Sequence, residues 1–245
     1  MTSPRFFCQE PLSADAVVVL PSAVSHHIRV RRLRAGQEIV VFDGSGVEFN
    51  AVLQFEKSGQ AIALTGAAQA VDRELPQTLT LVQGIASQER MDWVVEKAVE
   101  LGASALVPVT ASRSVVKLSG ERAAKRVAHW ENLVIAASEQ CGRNRLMKIY
   151  LPCPIGEAVK NCARGPMLLC HPSPGVQAIN DPDIVQSARS AKGANLIVGP
   201  EGGWDETEVR QWLAAGAQAI SLGKRVLRTE TAGLAALSAL SHLLA

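Results

Sequence analysis

The chain has 245 residues, with 25 Lys and Arg against 23 Asp and Glu, and is 47% hydrophobic but only 4% aromatic. That apolar content supports a real core and excludes wholesale disorder, while no run approaches the ~20 apolar residues of a membrane-spanning helix. Ala16–Val24 is broken by Pro21 and follows Asp15 where a signal peptide would carry a basic region, so the expected compartment is the cytoplasm.

Up to about Val71 the pattern is β. Ala16–Leu20, Glu38–Phe42, Glu48–Phe55 and Ala61–Thr65 are short β-branched runs, and Asp43-Gly44-Ser45-Gly46 marks a hairpin between two of them. One amphipathic helix fits Ser22–Arg32, and the close spacing of strands predicts a small barrel. The polar stretch Asp72–Pro76 reads as a linker. From Gln77 strands and helices alternate. Thr78–Gln83 is a strand, and Ser87 caps a helix with Met91, Val94, Val95, Ala98 and Leu101 on one face. Ala105–Thr110 is the next strand. The helix Glu121–Cys141 then buries Ala123, Val127, Trp130, Val134, Ala137 and Cys141, and Gly142 stops it. Met147–Leu151, Met167–Cys170, Asn195–Val198 and Ala219–Leu222 are further strands, and Asp205 with Glu208 opens the helix Glu206–Ala215 as a capping box. The class is α/β with a largely parallel sheet, 73–245, after a β domain, 1–72.

The near-neutral charge hides two clusters. Arg29, Arg31, Arg32 and Arg34 fall within six residues, and Ala111–Lys148 carries eight basic groups against three acidic ones. Such clusters serve a polyanion partner or form a solvated face, and both readings stand at this point. Five cysteines in an odd count, with no C-x-x-C pair, predict reduced thiols and no metal site.

The densest signal is Leu196-Ile197-Val198-Gly199-Pro200-Glu201-Gly202-Gly203-Trp204, an apolar strand running into a glycine turn and a capped helix. It lacks both the dinucleotide fingerprint and the phosphate loop. Ligands gather at the carboxyl ends of strands in open α/β sheets, and glycine lets them approach the main chain. A second specialised loop, Ser221-Leu222-Gly223-Lys224-Arg225-Val226-Leu227-Arg228-Thr229-Glu230-Thr231-Ala232, leads into a small-residue helix. As structural elements alone, the first is a tight connection and the second a helix N-terminus with Thr caps.

Together GPEGGW and LGKRVLRTETA resemble the SPOUT class of RNA methyltransferases, specifically the bacterial 16S rRNA (uracil-N3)-methyltransferase family. Glu96–Gly102, Ser112–Lys117, Ala137–Arg145 and the Leu169-Cys170-His171-Pro172 turn carry the same resemblance. In the first domain it rests on His26, Val30, Arg32, Gly36 and Phe42–Ser45. The similarity covers nearly the whole chain; Arg31 and Ser112 depart from the Leu and Glu usual there. It implies a trefoil-knotted α/β methyltransferase domain preceded by a PUA-like β-barrel, and a homodimer. It also implies S-adenosylmethionine held by Leu169–Pro172, by Val198, Gly199, Pro200, Glu201 and Gly202, and by Ser221, Leu222, Gly223, Val226, Leu227, Arg228, Thr231 and Ala232.

The expected chemistry is methyl transfer to N3 of a uridine in 16S rRNA within the small subunit. Arg228 and Arg143 are the candidates to stabilise the developing uracil anion. Glu201 and Glu230 are candidates for proton acceptor or for orienting groups. Arg29, Arg32, Arg34, Arg113, Lys117, Arg143 and Arg145 are expected to meet RNA phosphates. His171 fits a pocket wall better than a catalyst, and the four tryptophans fit core or dimer contacts better than base stacking. A non-catalytic RNA-binding protein and a methyltransferase for tRNA or 23S rRNA are the competing readings.

Overall fold

The computed structural model describes residues 3–171 and 175–244. The chain forms two compact units, one of residues 1–74 with 135–146 and the other of 75–134 with 147–245. The expected single boundary at 72/73 has no counterpart to the return of 135–146 to the first unit.

In the first unit β1 (Arg5–Phe7), β2 (Val17–Val19), α1 (Ser22–Val30), β3 (Glu38–Phe42), β4 (Glu48–Phe55) and β5 (Ala61–Gln69) follow in order. The strands form one five-stranded sheet in the order β1-β3-β4-β5-β2. Phe42 pairs with Glu48 across the Asp43–Gly46 turn, so the predicted hairpin is present. β1 is parallel to β3 and was not expected; three residues carry no readable period. Alternation along β4 turns Phe49, Ala51 and Leu53 inward, where they meet Phe6, Leu20, Ile39 and Val41, and Ile28 of α1 closes the cluster.

The second unit begins with β6 (Thr78–Gly84), α2 (Gln88–Glu100), β7 (Ala105–Val109) and α3 (Gly120–Cys141), whose last turns belong to the first unit. Then come β8 (Lys148–Ile149), α4 (Ile155–Asn161), β9 (Met167–Cys170), β10 (Gln177–Ala178), α5 (Pro182–Ala191), β11 (Gly193–Val198), α6 (Glu206–Ala214), β12 (Gln218–Ser221) and α7 (Thr229–Leu244). Seven strands run in the order β10-β12-β9-β11-β6-β7-β8, and every pairing is parallel.

Parallel strands need crossovers that cover both faces, and β11 is accordingly buried at all six residues. On one face Ile155 and Ala158 of α4 and Trp212 of α6 join Val82, Val107, Leu169 and Ile197 in one core, with Trp204 edge-on to Trp212 at 5.7 Å. On the other, α7 packs against α2, α5, β6 and β11. α3 buries Ala123, Val127, Trp130, Val134 and Ala137, and Gly142 leaves the helix at φ +89°. Among the described residues no helix is long and apolar enough to cross a membrane.

Candidate active site in the parallel-sheet unit

The carboxyl ends of β9, β11 and β12 open on the same side of the sheet, and the segments leaving them enclose a cleft of about 470 Å³. Cys170 and His171 form one wall, Val198–Glu201 with Gly203 and Trp204 a second, and Val226–Thr229 with Ala232 a third. Arg90 of α2 and Arg113 complete it, and a neighbouring hollow continues along Ile220–Gly223 and Arg225.

Close contacts explain how the loop after β11 keeps its shape. A Cβ on Gly84, at the end of β6, would lie 2.5 Å from Pro200, so only glycine lets the two segments meet. A Cβ on Gly199 would stand 3.1 Å from the Trp204 nitrogen, and one on Gly202 would be 2.8 Å from Cβ of Arg113. Beyond the loop, the α6 capping box is complete: Glu208 N–H donates to Asp205 Oδ1 at 2.7 Å, and Asp205 N–H donates to Glu208 Oε2 at 2.9 Å. Ser112 ties itself to the same box, its N–H donating to Glu208 Oε1 at 2.7 Å and its hydroxyl to Asp205 Oδ2 at 2.8 Å. The Arg113 guanidinium reaches the Gly202 carbonyl at 3.2 Å.

The carboxylates belong to the scaffold of the cleft. Ser87 is the first residue before α2, but its side chain makes no cap bond, contrary to expectation. Its N–H instead donates to Glu201 Oε1 at 2.7 Å. Arg90 lies 3.4 Å from Glu201 and 3.7 Å from Glu230, bridging the loop after β11 and the first turn of α7. Burial pushes the Glu201 carboxyl up, but the Ser87 amide and the Arg90 charge outweigh it and hold the group below the usual carboxylate range. Burial raises the Cys170 thiol to about 12, so this side chain stays a neutral thiol and offers no thiolate nucleophile. Arg228 is exposed at the lip of the cleft, two residues from Val226, whose side chain is 86% exposed.

Residues 73–241 match the family model described as an RNA methyltransferase domain, and residues 20–64 match the RNA methyltransferase PUA domain. The chain belongs to the RNA methyltransferase family. A Bacillus subtilis relative named ribosomal RNA small subunit methyltransferase E is 31% identical, the alignment covering 96% of this chain and 93% of that one. Among solved structures, a Neisseria gonorrhoeae ribosomal RNA small subunit methyltransferase E bound to S-adenosyl methionine superposes with a TM-score of 0.88 at 36% identity, over 99% and 98% of the two chains. A putative methyltransferase from Legionella pneumophila, also in complex with that cofactor, gives 0.91 at 32% identity, over the same shares. The architecture is therefore a PUA-like domain joined to a SPOUT methyltransferase domain.

Within this methyltransferase the structure gathers most of the expected cofactor residues around the cleft and its adjoining hollow. Cys170, His171, Val198, Gly199, Pro200, Glu201, Ser221, Leu222, Gly223, Val226, Leu227, Arg228 and Ala232 line them. Leu169 lies beneath in the core, Thr231 faces solvent, and Gly202 backs onto Arg113. Pro172 lies outside the described residues. Arg143 requires a correction: it belongs to the first unit and is buried, with Nε donating to Glu74 Oε1 at 3.1 Å. Its guanidinium is held by the half-buried Glu74 carboxylate, and Arg143 is not among the residues that line the cleft. Arg29, Arg32, Arg34 and Arg145 are exposed in the first unit, as are Arg113 and Lys117 in the second. Sequence reasoning missed Arg90, which stands at helical spacing among polar residues and carries no motif, and Thr229, read only as a cap.

Proposed function

We propose that this chain is an S-adenosylmethionine-dependent methyltransferase that modifies N3 of a uridine in 16S rRNA. The observation that carries the reading is the convergence of three strand-end loops on one cleft in an RNA methyltransferase domain. The cleft suits the cofactor: Ile220, Val226, Leu227 and Ala232 offer apolar surface for a flat base, and a buried, unpartnered carboxylate oxygen of Glu201 favours nearby positive charge. When bound, S-adenosylmethionine supplies a methyl group on a cationic sulfur.

The protein's own part is positioning and charge. Uracil N3 becomes a nucleophile as its proton leaves, and negative charge spreads to the flanking carbonyl oxygens. Arg228, exposed at the lip, is the cation that stabilises that charge. Glu201, held ionised on the Ser87 amide, orients the loop and is not the proton acceptor. Holding two reactants in line is itself worth ~7–11 kcal/mol. Arg29, Arg32, Arg34 and Arg145 in the first unit, and Arg113 and Lys117 in the second, supply phosphate contacts. The enzyme acts as a homodimer on small-subunit particles in the cytoplasm, with the cofactor loops threaded through a trefoil knot.

The test is to incubate the protein with labelled S-adenosylmethionine and small ribosomal subunits from a strain lacking it, then map the modified base. A single N3-methyluridine in 16S rRNA is the expected result. Label in tRNA or 23S rRNA would move the target, and absence of both transfer and cofactor binding would leave a non-catalytic RNA-binding protein.

A further inference from the structure

Behind the cleft lies a buried polar cluster that the chemistry above does not use. Gln83, the penultimate residue of β6, is fully buried, and its Nε2 stands 2.9 Å from the Gly84 carbonyl, 3.3 Å from the Gly199 carbonyl and 2.8 Å from Thr229 Oγ1. The Thr229 hydroxyl in turn donates to the Gly199 carbonyl. Gly199 opens the loop after β11, and Thr229 is the first residue of α7, directly after the loop that follows β12, so one side chain from a third strand holds both. Room for it is made by Gly233 of α7, where a Cβ would stand 3.3 Å from Gln83 Oε1.

We infer that Gln83 and Thr229 are positioning residues, a neutral buried latch that fixes the Gly199–Gly203 and Gly223–Arg228 loops in the register that binds the cofactor. The inference rests on reading the cleft as an S-adenosylmethionine site. Arg90 links the loop after β11 to the first turn of α7 from the cleft side through Glu201 and Glu230, but at 3.4 and 3.7 Å with a partly exposed guanidinium, so salt weakens that bridge. The latch carries no charge and is shielded from solvent, and salt leaves it intact.

Calorimetric titration of S-adenosylmethionine into the full chain tests this at low and high salt, with thermal unfolding recorded for every variant. Thr229→Val keeps the shape and removes the hydroxyl, and Gln83→Met keeps the length and removes the amide. Each is expected to weaken cofactor binding about ten-fold at both salt concentrations, while RNA affinity stays within two-fold. Thr229→Ser restores the hydroxyl and should bring the cofactor Kd back to within two-fold of wild type. Weak binding by Thr229→Ser, or wild-type binding by Gln83→Met, overturns the latch. If Thr229→Val does not fold, Thr229→Ser and Gln83→Met decide on the same terms. Failure of the wild-type protein to bind S-adenosylmethionine would refute the reading of the cleft itself, a different result from unchanged binding in the variants.

Discussion

Glu48 shows how one carboxylate holds together a unit whose strands are short. Its side chain is almost fully enclosed, with Arg5 at 2.7 Å and Arg73 at 2.9 Å, and Arg5 continues to Asn144. Burial raises its pKa, but hydrogen bonds involving Arg73, Arg5 and Asn144 more than reverse this and hold it at about 2. A depressed carboxylate stabilises the fold above its unfolded pKa, and that contribution disappears as pH falls through the folded value. Glu48→Gln should therefore cost up to ~3 kcal/mol at pH 7, and the urea midpoints of variant and wild type should converge between about pH 4.5 and 2. At the other extreme is Arg228, exposed at the cleft lip and proposed as the cation that stabilises the uracil charge. Arg228→Ala is expected to lower the rate of methyl transfer at least ~100-fold, with the melting temperature close to wild type. Wild-type turnover in that variant would remove Arg228 from the mechanism.

At the level of elements, the cleft depends on strand ends that meet without side chains between them. Gly84→Ala would place a methyl group 2.5 Å from Pro200, so backbone must move. The expected cost is ~1–3 kcal/mol of stability, together with a loss of cofactor affinity; calorimetry and thermal unfolding measure both. Elements of this unit were legible where a period or a cap was written into the sequence. The Asp205–Glu208 box, the apolar run of β11 and the buried stripe of α3 from Ala123 to Ala137 appear where their residues predict them, whereas Cys141, expected on that stripe, is only half-buried. β10, two residues long, offers no period to read, and α4 begins after Pro154 without a side-chain cap. α5 did carry a signal, Asp181 as cap with Pro182 in the first turn, and the structure uses it: Asp183 N–H donates to Asp181 Oδ1 at 3.0 Å. The cleft walls were legible because glycine-rich strand ends are rare enough to mark. Arg90 and Gln83 were not, because their roles depend on which strands become neighbours, and local spacing carries no such information.

For the whole molecule, net charge of +2 conceals where the cations stand. Arg29, Arg32 and Arg34 are all exposed on and just after α1, with no acidic partner within ion-pair distance among the described residues. Each phosphate neutralised on binding releases counterions, so log K falls with log salt at a slope proportional to the contacts made. Reversing Arg32 and Arg34 to Glu should therefore weaken RNA binding and flatten the salt slope by ~2, with cofactor affinity unchanged. An unaltered slope would return the cluster to the role of a solvated face.

The first unit also gives a reason to expect that a cut at residue 72 would not isolate a stable domain. Its strands come from the N-terminal segment, yet Phe7 N–H donates to Glu139 at 2.9 Å and Arg5 reaches Asn144, both from 135–146. Arg73, the second cation on Glu48, would be lost as well. A fragment of residues 1–72 would keep Arg5 and Glu48 but lose Asn144 and Arg73, which satisfy their network, along with the Glu139 acceptor of the Phe7 amide, and a partly satisfied buried network is costly. That fragment should show a broad, non-cooperative thermal transition by circular dichroism, where the full chain unfolds cooperatively in the same assay. Addition of a separate peptide spanning 135–146 should sharpen the fragment's transition. A cooperative transition in the fragment alone would show that these contacts add little, and that the strands and α1 suffice.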